Sequence, residues 1–227
     1  MKRVFELINA VKQSYPNDCF FDGVHNSLKV SSQARAQYRA YESAFQYLDS
    51  ESWKELKTKA IQHFQDHRQG QLKQGFFNQL NDAFAYQYLV RKGYQQVKIL
   101  AETRRTTPDL SYQSNQEKHF CEVKTIGISK EEIDRRDAQN VYDGSIYYQL
   151  SPEFLNKFNS TLDTALHQIR SQNANGLIFL LIHFDDFTLS HYDSQYRKQL
   201  WDCTNAHEAV EVFVKIGIIG KRRIHKT

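Results

Sequence analysis

The stretch Leu177 to His183, Leu-Ile-Phe-Leu-Leu-Ile-His, constrains this chain more than any other. It holds no polar position before its last residue, and Asn173–Gly176 punctuates it on the N-terminal side. Such a run reads as a strand covered on both faces, the pattern of parallel sheet packed between helices. It is also far too short to span a bilayer. An α/β architecture follows, and the rest of the chain must supply the covering helices and the neighbouring strands.

Helical periodicity lies on both sides of that run. Ser151-Pro152 predicts a helix start, with Ser as cap and Pro at the first helical position, and Phe154, Phe158, Leu162, Leu166 and Ile169 form its apolar stripe. Ser190–Trp201 predicts another helix, and Val210–Ile219 a last strand. The first ninety residues read as helical. Val4, Leu7, Ile8 and Val11 recur at helical spacing, Tyr15-Pro16-Asn17-Asp18 breaks the pattern, and a loop runs to about Ser27. A second helix spans Ser32–Leu48. A third is opened by a capping box of Ser52 with Glu55 and ends near His67. A fourth spans Leu72–Lys92 with Phe77, Leu80, Phe84 and Tyr88 as its stripe, closed by Gly93. Strands follow at Gln96–Ala101, Pro108–Gln113 and His119–Ile126, then a short helix capped by Ser129 and Glu132, then an irregular aromatic stretch over 140–149.

The second and third of those strands enclose Ser114-Asn115-Gln116-Glu117, with Asn suited to a left-handed turn. A hairpin centred between Asn115 and Gln116 sets Asp109 directly opposite Glu122, where Cβ atoms are about 4.5–5.5 Å apart and like charges repel. Paired carboxylates there call for a cation. Lys124 shares the face of Glu122, and Val123 points to the other.

Pro108-Asp109 followed by Glu122-Val123-Lys124 resembles the signature of the PD-(D/E)xK nuclease superfamily. The predicted order of helix, three strands, helix and strand, over residues 70–185, is similar to the core of that superfamily. The resemblance implies a restriction-endonuclease-like domain over 70–227, a central mixed sheet flanked by helices, preceded by a helical region over 1–69. It implies that Asp109 and Glu122 bind Mg²⁺ or Mn²⁺, that the Val123 carbonyl adds a neutral oxygen, and that Lys124 is the catalytic cation. On the fourth helix it implies a metal-site role for Asp82, where Glu is the commoner residue; the alternative is a plain surface acid. Gln168 stands on a helix where some relatives place a substrate-contacting Gln or basic residue; a solvated helix face is the other reading.

Hard carboxylate oxygens suit Mg²⁺ or Mn²⁺, and a lysine beside a metal is best explained by an anionic substrate. Arg104 and Arg105, with Thr106 and Thr107, are placed to contact phosphate oxygens or to form a polar turn. The expected activity is metal-dependent hydrolysis of phosphodiester bonds in DNA, endonucleolytic before exonucleolytic. Rival readings are a non-catalytic nucleic-acid- or protein-binding module with the same fold, and a helical partner protein that forms homodimers through residues 1–69. The alternative for the Asp-Glu-Lys triad is a surface hairpin with a cross-strand ion pair worth ~0–1 kcal/mol.

Composition narrows these choices only a little. A net charge of +4 and a pI near 8.8 permit nucleic-acid binding without demanding it. Cys19, Cys121 and Cys203 match neither zinc spacing nor a disulfide framework, and no signal peptide opens the chain, so a cytoplasmic protein is expected. His183, Asp185, Asp186, His191 and Asp193 form a second cluster, read as polar closure of a buried strand before a metal site. Lys221, Arg222, Arg223, His225 and Lys226 form a basic tail, with terminal disorder as its default. No phosphate loop, nucleophile elbow or dinucleotide fingerprint is present.

Overall fold

Val4, Leu7, Ile8 and Val11, the stripe expected from spacing, are all buried on α1 (Lys2–Ser14). The structure, a computed structural model, describes residues 1–67, 72–103, 107–138, 144–172, 175–183, 186–206, 211–219 and 223–226. The chain is α/β and divides into two compact units, Met1–Lys118 and His119–Thr227.

The first unit continues with α2 (Val24–Val30), α3 (Ser32–Phe45), α4 (Ser50–Gln62), α5 (Gln74–Leu80), α6 (Asp82–Arg91), β1 (Gln95–Ile99) and β2 (Leu110–Ser114). Part of the expected loop before Ser27 is thus helical, since α2 starts at Val24 and buries Val24 and Leu28. The cap of α4 is Asp49, whose side chain accepts from the Ser52 backbone N–H; Ser52 lies inside the helix and is buried. The helix expected over Leu72–Lys92 is two helices, α5 and α6, meeting at the buried Asn81. Phe76, rather than Phe77, turns fully inward. Its ring lies 5.5 Å from Phe64 and 5.7 Å from Phe21. Those three rings make one interior from both sides of residue 70, where the sequence suggested a boundary, because neither α4 nor α5 covers its aromatic residues alone.

Local chemistry ends these elements. Gly93 (φ 89°) follows α6, its N–H bonding Val90 O at 3.0 Å while the Tyr94 N–H bonds Leu89 O at 3.2 Å. Both bonds are those of a Schellman motif, which needs the left-handed conformation that glycine adopts freely. β1 and β2 pair antiparallel with an irregularity between Gln95 and Lys98, where Gln96 has φ 49°. After β2, Asn115 (φ 52°) and Gln116 (φ 68°) form the two-residue turn expected at that place.

The unit boundary falls inside β3 (Glu117–Ile126), after Lys118. The second unit continues with α7 (Lys130–Asp137), a 3-10 turn at Gly144–Tyr147, α8 (Pro152–Arg170), β4 (Gly176–Ile182), α9 (Asp186–Ala206), β5 (Glu211–Ile216) and β6 (Arg223–Lys226). β3, β4 and β5 pair in parallel, and β6 closes the sheet antiparallel to β5. Ser129 and Ser151 cap α7 and α8 through their side chains, as their spacing predicts. Ile178, Leu180 and Ile182 of β4 join Val212, Val214 and Ile216 of β5 in a core with Phe158, Leu162, Ala165 and Ile169 of α8. Leu177, Phe179, Leu181 and Phe213 are buried as well, so β4 is covered on both faces. Gly176 is fixed by close approach, since a Cβ there would lie 2.0 Å from Phe120 O.

The described part of the basic tail is structural. Arg223, Ile224, His225 and Lys226 form β6, and His225 Nε2 lies 2.6 Å from Glu211 Oε1. The Lys226 Nζ donates to the carbonyls of Thr204 and Asn205 in the last turn of α9, where a cation meets the negative helix end. Lys221 and Arg222 lie outside the described residues.

Candidate functional site

On α4 the residues Ser52, Trp53, Leu56, Lys59 and Ala60 recur at three- and four-residue steps, and all are buried. A lysine on that stripe is out of place by polarity alone. Lys59 is 1% exposed, and an isolated ammonium at that depth would be prohibitively costly. Two carboxylates meet it. Its Nζ lies 2.7 Å from Asp82 Oδ2 and 3.4 Å from Asp109 Oδ1.

The fold delivers each partner by a local rule. The break at Asn81 makes Asp82 the first residue of α6, where the positive helix end favours a carboxylate. Asp82 is buried, which overturns its reading as a plain surface acid. Asp109 stands just before β2, its carbonyl accepting from the Leu100 N–H at 2.9 Å. Burial pushes the Asp82 carboxyl above its ordinary range, against the pull of the Lys59 charge. Burial also acts to lower Lys59, but the Asp82 and Asp109 carboxylates outweigh it and hold the ammonium above the usual lysine value.

A wetter network adjoins this trio. His63, the residue that closes α4 one turn beyond Lys59, has Nε2 2.9 Å from Glu102 Oε2 and Nδ1 2.5 Å from Asp66 Oδ2. Glu102 Oε1 also accepts from Gln79 Nε2 at 3.2 Å. Burial opposes the charge on His63, and Glu102 with Asp66 prevails, so its pKa is raised.

In the second unit, Glu122 is 1% exposed on β3, and its Oε1 accepts from Lys124 Nζ at 2.6 Å. The two residues share a strand face, as the two-residue period requires. The surface-hairpin alternative fails here: the glutamate is buried and its lysine comes from the same strand. Val123 is half-buried between them. Gln168 is half-buried on α8, with its Oε1 buried and no hydrogen-bond partner for it among the described residues.

Arg104, Arg105 and Thr106 lie outside the described residues, as does Asp185 of the second cluster. Of that cluster's remaining members, His183 follows β4 and Asp193 pairs with Arg197 at 3.7 Å. Burial, with the Lys215 charge added, pulls His183 down to about 4. Among the described residues no group of three or more His, Cys, Asp or Glu side chains is arranged to hold a metal ion. Within the first unit, Asp82 and the half-buried Asp109 present carboxylate oxygens, the donor type that Mg²⁺ and Mn²⁺ prefer.

Sequence reasoning singled out Asp82, Asp109, Glu122 and Lys124 but missed Lys59, His63 and Glu102. A lysine in register with Trp53 and Leu56 was the available signal. No family model, curated protein or solved structure matches the chain. Among the described residues no helix is long and apolar enough to cross a membrane.

Proposed function

We propose that this chain is a metal-dependent nuclease with a restriction-endonuclease-like core, hydrolysing phosphodiester bonds in DNA. The observation that carries the reading is the convergence of Asp82 and Asp109, distant in sequence, on a single buried cation. The Glu122–Lys124 pair on β3 complements it.

Asp109, Glu122 and the Val123 carbonyl would hold a Mg²⁺ or Mn²⁺ ion, with Asp82 as an auxiliary carboxylate. When bound, the ion supplies Lewis acidity toward the phosphate and a lowered pKa for water. The remaining work belongs to the chain. Lys124 donates from Nζ to a non-bridging phosphate oxygen or to the attacking water, and its charge offsets the negative charge that grows on the phosphate. Glu122, hydrogen-bonded to Lys124, keeps that ammonium at a fixed place on the strand.

Nicking of supercoiled plasmid, with and without Mg²⁺, tests the reading. Asp109→Ala, Glu122→Ala and Lys124→Ala are each expected to slow cleavage at least about 100-fold. Undiminished cleavage by Glu122→Ala and Lys124→Ala would sink it. One observation favours a second reading: Lys59 already satisfies Asp82 and Asp109, as suits a non-catalytic module that binds nucleic acid or protein. Tight, magnesium-independent DNA binding without cleavage is its signature.

A further inference from the structure

We propose that Lys59 is an internal stand-in for the metal, a tethered cation that keeps Asp82 and Asp109 together until a divalent ion displaces it. This rests on the nuclease reading above and adds a regulatory step to it.

The argument begins with charge. Two carboxylates drawn to one buried place repel each other and lose their hydration, so some cation must accompany them for the first unit to fold. Lysine is suited to this, being a compact charge on a four-carbon stem with three donors to share between acceptors. Its Nζ lies 2.7 Å from Asp82 Oδ2 and 3.4 Å from Asp109 Oδ1, so one cation already serves both carboxylates. The longer contact goes to Asp109, the more exposed of the two partners, so that is where an incoming ion makes its first exchange.

Glu102, the next carboxylate beyond the trio, is half-exposed and bonded to His63 and Gln79. A divalent ion brings twice the charge to Asp82 and Asp109, and so displaces the ammonium from between them. Because Lys59 sits on the buried stripe of α4, its release also loosens the bond between α4 and the start of α6. Metal loading and the packing of α4 are then one event. A structural ion pair would show no such coupling.

Two measurements on the full chain test this, with Mn²⁺ as probe. In the first, amine acetylation is followed at Lys59 by mass spectrometry on the wild-type protein. Lys59 is expected to be nearly unreactive without metal, and its labelling to rise at least about fivefold at saturating Mn²⁺. In the second, Lys59→Met is compared with wild type by thermal unfolding and calorimetry. The variant is expected to melt roughly 10 °C lower without metal, to recover most of that loss with Mn²⁺, and to bind Mn²⁺ at least about tenfold more tightly. Mn²⁺ binding to the wild type with Lys59 labelling unchanged overturns the stand-in role and leaves the metal reading standing. Should Lys59→Met not fold in either condition, that labelling result decides alone. Mn²⁺ binding to neither protein overturns the stand-in role together with the metal reading.

Discussion

Each unit withdraws a lysine from solvent, Lys59 fully and Lys215 in part, and the two are treated in opposite ways. Lys59 in the first unit lies between Asp82 and Asp109, and its ammonium is held above the ordinary value although it is the deeper of the two. Lys215 in the second unit stands on β5 in register with Leu181, its Nζ donating to the Ile218 carbonyl at 3.0 Å, and burial pulls its pKa down to about 8. Depth alone would predict the reverse order. At Lys59 two opposing charges outweigh desolvation, whereas at Lys215 desolvation prevails. The first unit therefore carries a built electrostatic centre. The second carries a lysine and a histidine, His183, that burial drives toward neutrality.

That contrast has measurable consequences. The largest is expected from Lys59→Met, which leaves two carboxylates in a buried place without their cation. Chemical denaturation at pH 7 without metal should show a loss of about 3–5 kcal/mol, and a loss below about 1 kcal/mol would erase the contrast between the lysines. Next is acid sensitivity in the second unit. The folded pKa of His183 near 4 lies below its unfolded value near 6.5, so the unfolded chain binds the extra proton between those limits. Stability then falls on acidification across that window, by about 3 kcal/mol in all. In His183→Gln the share of the acid loss that separates it from wild type disappears.

Lys215→Met should move the other way from Lys59→Met. The unfolded lysine, with its ordinary value of 10.5, binds a proton that the folded one gives up above about 8. Wild-type stability thus rises with pH between 8 and 10.5, and the methionine variant should be about 3 kcal/mol more stable below pH 8, losing that advantage by pH 10.5. If Lys215→Met costs stability at pH 7, desolvation does not govern Lys215 and the contrast fails. The smallest effects are local controls, one in each unit. Gly93→Ala, at a left-handed position, and Ser151→Ala, which removes the α8 cap, should each cost about 1 kcal/mol whatever the surrounding charge.

Much of the local structure was legible because its causes are local. Ser129 and Ser151 cap helices through bonds that reach three residues, Gly93 closes α6 with the two residues either side, and Asn115-Gln116 makes the turn at which the strands reverse. The apolar run of β4 announced its own burial on both faces. The candidate site was legible in part. Asp109, Glu122 and Lys124 stand out by residue type around one turn, and Glu122 is buried. The break at Asn81 was hidden because the apolar period continues through it, and the missed break concealed that Asp82 opens a helix. β6 was hidden too, since Arg223 to Lys226 becomes a strand only where β5 offers an unpaired edge.

The sequence by itself determined the α/β alternation, most of the helices and strands with several of their caps and turns, and Asp109, Glu122 and Lys124 as candidates for chemistry. Those properties follow from side-chain period, capping and turn preference, all acting within a few residues. Only the tertiary structure decided that Lys59 belongs with Asp82 and Asp109, which stand 23 and 50 residues away along the chain. Charge pairing acts through space at a few ångströms, and it is packing of α4, α6 and the approach to β2 that brings those three groups within that reach.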